Sequence, residues 1–147
     1  MKRRITVLVV ALAAVFATAT PAQAAAQRPH STSFIAFMNG HNEVPAADPD
    51  ATGLAMFRLK QNRQLCWVII TRKVDGTLMD AHIHAGVAGQ NGPVAVPLSL
   101  WPGCTRITSK LARALRDNPG AFYANVHSST YPNGAIRGQL MKAGSAH

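Results

Sequence analysis

LCWVIITRKVDGTLMDAHIH (residues 65–84) reads as two strands and the turn between them. Leu65 to Val74 is a run of β-branched and aromatic residues, and Asp75-Gly76 is a strong two-residue turn signal. Leu78 to His84 then alternates, which puts Met79, Ala81 and Ile83 on one face and Asp80, His82 and His84 on the other. The first set is apolar and is expected to face a core. The second set is polar and carries an H-x-H pair.

The same pattern continues outward in both directions. Thr32 to Asn39 alternates with Phe34, Ala36 and Met38 on one face, and Gly40 to Gly53, with Pro45 and Pro49, reads as a loop. Leu54 to Leu59 pairs in a hairpin with Leu65 to Val74 across Lys60-Gln61-Asn62-Arg63. Downstream, Gly86 to Pro93 is a glycine-rich loop, and Val94 to Leu100, broken by Pro97, is an edge strand. Thr108 to Asn118 is the single helix candidate: Thr108 or Ser109 can cap it, Ile107, Leu111 and Leu115 recur every four residues, and Asn118-Pro119-Gly120 stops it. Phe122 to Ser128 and Ala135 to Met141 close the chain as strands around Tyr131-Pro132-Asn133-Gly134. About seven short strands and one short helix predict a mostly β domain over residues 32–142, an antiparallel two-sheet β-sandwich with Greek-key-like connections.

The chain of 147 residues is long enough for one domain with a real core, and 48% hydrophobic against 14% charged residues excludes a disordered chain. Lys2, Arg3 and Arg4, the apolar stretch Ile5 to Ala19, Pro21 and the triplet Ala22-Gln23-Ala24 have the layout of a secretory signal peptide, so residues 1–24 are expected to be removed. Residues 25–31 then form a mobile leader and 143–147 a tail. The predicted location is outside the cell or at its envelope, with no transmembrane segment after cleavage.

The net charge is +9, and without the three basic residues of the signal it is +6. No polybasic block and no interleaved aromatic stacking pattern is present, so nucleic acid is not an expected partner. A modestly basic exported surface suits solubility, or an anionic cell-envelope component or extracellular protein as partner. Two cysteines in an exported chain are most simply one disulfide, Cys66 to Cys104, with Cys66 on a strand and Cys104 in a loop.

In the final hairpin Phe122, Ala124 and Val126 form the apolar set, leaving Tyr123, Asn125 and His127 opposite. His82 and His84 are spaced so that one metal ion can bridge them, and a third imidazole from another strand would complete a three-ligand site. Neutral imidazole suits copper, zinc, nickel or iron. Strand histidines also commonly do no more than hydrogen-bond nearby backbone, so the spacing leaves both roles open. His41 lies in a loop, while His30 and His147 are near the termini. No G-x-S-x-G element is present, Ser128 and Ser129 read as turn residues, and Glu43 and Asp80 are the only acids near the histidines. No catalytic residue is assigned.

Four segments together resemble the chordin-type (CHRD) domain: Asn39-Gly40-His41-Asn42-Glu43-Val44-Pro45, Ala81-His82-Ile83-His84-Ala85-Gly86, Gly89-Gln90-Asn91-Gly92-Pro93-Val94, and Tyr123-Ala124-Asn125-Val126-His127 running on to Tyr131 through Leu140. The resemblance spans roughly Ser33 to Leu140. It implies an extracellular binding or interaction module without catalysis, and the family's motif histidines correspond to His82, His84 and His127. The alternative is a mononuclear copper or zinc protein with those three ligands. Some likeness to copper–zinc superoxide dismutase ends at the H-x-H strand, because too few histidines are present for two metals. Glu43 in the first motif and Arg137 in the last are expected to pair and tie the early loop to the C-terminal strand.

Overall fold

The computed structural model describes residues 31–144. The expected signal peptide, residues 25–30 of the leader and residues 145–147 lie outside the described residues. Among the described residues nine antiparallel strands and one α-helix follow in the order β1 (Ser31–Asn39), β2 (Thr52–Lys60), β3 (Gln64–Arg72), β4 (Leu78–Ala85), β5 (Val94–Leu98), β6 (Gly103–Arg106), α1 (Ser109–Asp117), β7 (Phe122–Ser128), β8 (Ile136–Gln139) and β9 (Met141–Lys142). A 3₁₀ turn at Gly40–Asn42 opens the long loop after β1.

The strands form a single sheet in the order β5-β4-β7-β8-β1-β2-β3-β6, with β9 also paired to β1. The expected two-sheet sandwich of about seven strands is therefore replaced by one nine-stranded sheet that curls almost into a barrel. Distances require the curl. Laid flat, eight strands would hold β5 and β6 about 34 Å apart. Yet Leu98 and Gly103 are only five residue steps apart in the chain, which span at most ~18 Å. Trp67 of β3 spans the remaining gap by donating its indole N–H to the carbonyl of Ser99, just past β5, at 2.9 Å. Strand alternation dictates one buried face per strand, and a stacked pair of sheets and a curled single sheet both satisfy it.

The inward faces meet in one core that includes Phe34, Phe57, Leu59, Leu65, Ile83, Val126 and Ile136. Thr108 caps α1 by accepting from the Leu111 N–H, and the helix adds Ala112 and Leu115 to the same core. Two details depart from simple alternation. A register irregularity between Leu78 and Ala81 turns Met79 outward, where it is 57% exposed, and Leu78 packs against the core instead. Strand β7 is buried on both faces, since Tyr123 and Asn125 are covered as fully as Ala124 and Val126.

Cys104 lies in β6 rather than in a loop, directly opposite Cys66 of β3, and the two form a disulfide. Quantitative thiol labelling of the denatured, unreduced protein is expected to find no free thiol; two reactive thiols per chain would contradict the pairing.

Candidate functional site

The site is built on the outer face of β4, β7 and β8. Register pairs His82 with Asn125 and His84 with Tyr123, and in turn Asn125 with Arg137 and Tyr123 with Gln139. His127 stands one pleat beyond Asn125, beside His82. Each of these side chains points away from the core because its neighbours Ala81, Ile83, Ala124 and Val126 point into it.

The three imidazoles come together. His82 Nδ1 is 3.1 Å from His127 Nε2, and one ring nitrogen from each of His82, His84 and His127 lies within 4.8 Å of the others. Backbone carbonyls decide how two of the rings are protonated. His84 Nδ1 is 2.8 Å from the Gly92 carbonyl and His127 Nδ1 is 3.0 Å from the Pro132 carbonyl. A carbonyl only accepts, so each Nδ1 carries the proton and donates it. Each Nε2 then carries the ring's lone pair. His127 Nε2 accepts from His82, whereas His84 Nε2 is buried with no hydrogen-bond partner. Such an orphaned buried acceptor is uncommon and calls for a physical account, an ion being one. Anchoring the far nitrogen on a carbonyl is also how proteins orient metal-binding histidines.

Asp80 Oδ1 stands 4.0 Å from His82 Nδ1 and 3.9 Å from His127 Nε2 on the solvent side. Burial pushes the His82 pKa below the ordinary imidazole value; Asp80 pulls it back, while His127 and His84 reinforce the lowering. The ring thus keeps its lone pair at lower pH than a free imidazole would.

Beside the imidazoles runs a second polar layer. His84 lies flat on Tyr123, with ring centroids 4.9 Å apart, and the Arg137 guanidinium covers the same tyrosine at 4.5 Å. Arg137 Nε donates to Glu43 Oε2 at 2.6 Å, and its Nη2 reaches the same oxygen. Nη2 also donates to Asn91 Oδ1 at 2.6 Å and Nη1 to the Gln90 carbonyl at 3.2 Å. Glu43 and Arg137 are both buried, and the pair ties the loop after β1 and the loop after β4 onto β8. Burial raises the Glu43 pKa above the usual carboxylate value, with Arg137 acting in the opposite direction.

Glycines make two of these approaches feasible. A Cβ on Gly92 would fall 1.7 Å from the Ala85 carbonyl oxygen, so only glycine lets this loop fold back and deliver its carbonyl to His84. Gly134, at φ +130°, lies against the Glu43 carboxylate.

Of the residues singled out from sequence, His82, His84 and His127 converge, Glu43 meets Arg137, and Cys66 meets Cys104. His41 is exposed in the loop after β1 and stays apart from the three imidazoles. In the loop after β4, Gly86 lies against the Tyr123 ring, Gly92 brings its carbonyl to His84, and a Cβ on Gly89 would meet open space. The Gly92 and Pro132 carbonyls were missed as orienting groups. The signal available was that each lies in a glycine-containing motif loop directly after a histidine-bearing strand.

The family model of the CHRD domain matches residues 34–140. No curated protein and no solved structure gives a match.

Proposed function

We propose, from the premise that this chain belongs to the CHRD-domain family, that it is an exported binding module which holds one transition-metal ion, copper or zinc, on His82, His84 and His127. The observation that carries this reading is the buried, unpartnered His84 Nε2. It belongs to one of three imidazoles whose nitrogens come within 4.8 Å of one another, and its own ring is locked by the Gly92 carbonyl. Three neutral nitrogen ligands suit either metal, and ligation would need the His82 proton on Nε2, which frees both Nδ1 of His82 and Nε2 of His127. Bound there, the ion would supply a Lewis-acidic centre. The protein's own part is to present lone pairs, fix ring orientation and keep His84 out of bulk water.

Nothing near the ion assigns a reaction. Asp80, the closest acid, is half-exposed, and the Glu43 carboxylate is engaged by Arg137. Binding, sensing or storage fits this arrangement better than turnover. The module itself is of an extracellular type, and the Cys66–Cys104 disulfide accords with export.

Elemental analysis of the purified full-length protein and titration of chelator-stripped protein with Cu²⁺ and Zn²⁺ test the reading. One equivalent per chain is expected at neutral pH. Uptake should fall as pH drops through and below about 6.5, because a protonated imidazole has no lone pair to offer and protons compete with the ion. No uptake of either metal at neutral pH would return the chain to an interaction module without an ion.

A further inference from the structure

The outer face of β1–β2–β3, across the sheet order from the histidines, is apolar where a solvated sheet face should be polar. Register places Ile35, Met56 and Val68 in one row and Phe37, Leu54 and Ile70 in the next, with Met141 of β9 beside Ile35. Among the described residues, ten large hydrophobic side chains are exposed, and five of them (Phe37, Met56, Val68, Ile70 and Met141) belong to this one face. Scattered exposed apolar residues need no account, but a contiguous set marks a contact surface. Trp101 stands two residues before Gly103, which pairs with Trp67 next to Val68, and it is 80% exposed.

The rim of this face is cationic. The row after Met56 carries Arg58, and the one beyond it carries Lys60 and, on β6, Arg106; the far end carries Arg72. Among the described residues, the Arg58 and Lys60 side chains hydrogen-bond the neutral side chains of Ser31 and Gln64 and meet no carboxylate. No outward-facing residue of β1, β2 or β3 is acidic. An apolar groove of about 370 Å³ lies between Ile35, Met56 and Val68, with Arg58 at its end.

We infer that this face docks the protein on an anionic lipid surface. Apolar rows bordered by arginine and lysine and flanked by an exposed tryptophan match the layering of a bilayer interface, where acyl chains meet phosphates. The groove repeats that layout at the scale of one lipid. A second copy fits worse, because a twofold pairing of this face would bring like-charged rims together. The inference is independent of the metal reading, since the residues concerned touch none of the histidines.

Trp101 supplies a local readout, because the only other tryptophan, Trp67, is buried at 7% exposure. Adding phosphatidylglycerol vesicles to the full-length protein should shift its fluorescence to the blue; phosphatidylcholine vesicles should not, and high salt should reverse the shift. Trp101→Phe should remove the signal while leaving vesicle co-sedimentation in place. Ile70→Asp should abolish co-sedimentation in excess of that given by residues 1–30, which both proteins share. Arg58→Glu with Lys60→Glu, a change confined to solvated charges, should weaken it by about tenfold or more. An unshifted Trp101 with anionic vesicles would overturn the proposal. So would a concentration-dependent dimer that Ile70→Asp dissolves, or docking restricted to an acidic protein.

Discussion

His82→Ala is expected to weaken copper or zinc binding by more than ~100-fold while leaving the metal-free protein as stable as before. Loss of a group that merely orients a metal-binding histidine costs 10- to 100-fold, and removal of a ligand itself should exceed that range. His82 is the informative choice among the three. Among the described residues its one hydrogen bond is to His127, whereas His84 bonds the Gly92 carbonyl and lies flat on Tyr123. Its replacement therefore separates ligation from structure. Isothermal titration with each metal, paired with thermal unfolding of the stripped protein, measures both. His41→Ala serves as the control and should change neither. Unaltered affinity in His82→Ala would remove this residue from the ligand set.

Arg137→Met is expected to destabilise the domain by about 3–5 kcal/mol, the usual consequence of stripping one partner from a buried ion pair. The arginine and glutamate side chains are 5% and 2% exposed, so solvent can do little to compensate. The variant would lose the bonds to Glu43, Asn91 and the Gln90 carbonyl together with the cover over Tyr123. Glu43 would then face burial with no counter-charge, and its pKa would climb further. Arg137→Lys should rescue little, because an ammonium cannot fork to three acceptors in these directions. Glu43→Gln combined with Arg137→Met should recover part of the loss, and urea unfolding of the wild type, Arg137→Met, Glu43→Gln and the double variant gives the coupling energy. The same variant releases the loop that carries Gly92, so metal affinity should fall by 10- to 100-fold as well. A change below 1 kcal/mol would show that the pair is peripheral to stability.

Much of this arrangement was legible from residue order. The Leu78–His84 alternation put His82 and His84 on the polar face, the Thr108 cap and Leu115 spacing located α1, and Pro97 marked β5 as an edge. These features depend on local periodicity and on chemistry within a few residues. The closure of the sheet did not show. It depends on which strands pair across long stretches of chain, and alternation is blind to that choice. Burial of Tyr123 escaped for a related reason: His84, Arg137 and Gly92 all come onto it from other segments of the chain. Strand β6 was missed because Gly103-Cys104-Thr105-Arg106 has too little hydrophobic pattern to announce itself; its place comes from Cys66 and Trp67 opposite.

The strand order also sets a sequence of events during folding. Strands β1, β2 and β3 form a meander, and β4 with β5 forms a hairpin, both from neighbouring segments of chain. By contrast, β1 finds β8 only at the end of the chain, and β4 must wait for β7 to be delivered past β5, β6 and α1. Pairings of such long range are entropically late. A chain that emerges from its N-terminus will thus present His82 and His84 on a strand paired only with β5 before His127 arrives beside them. A nascent chain has two of the three proposed ligands and neither the third nor the Arg137 clamp that holds the loop after β4. On the metal reading proposed above, ion capture would be deferred until β7 and β8 have docked, and a chain truncated before Phe122 should be a poor scavenger of metal.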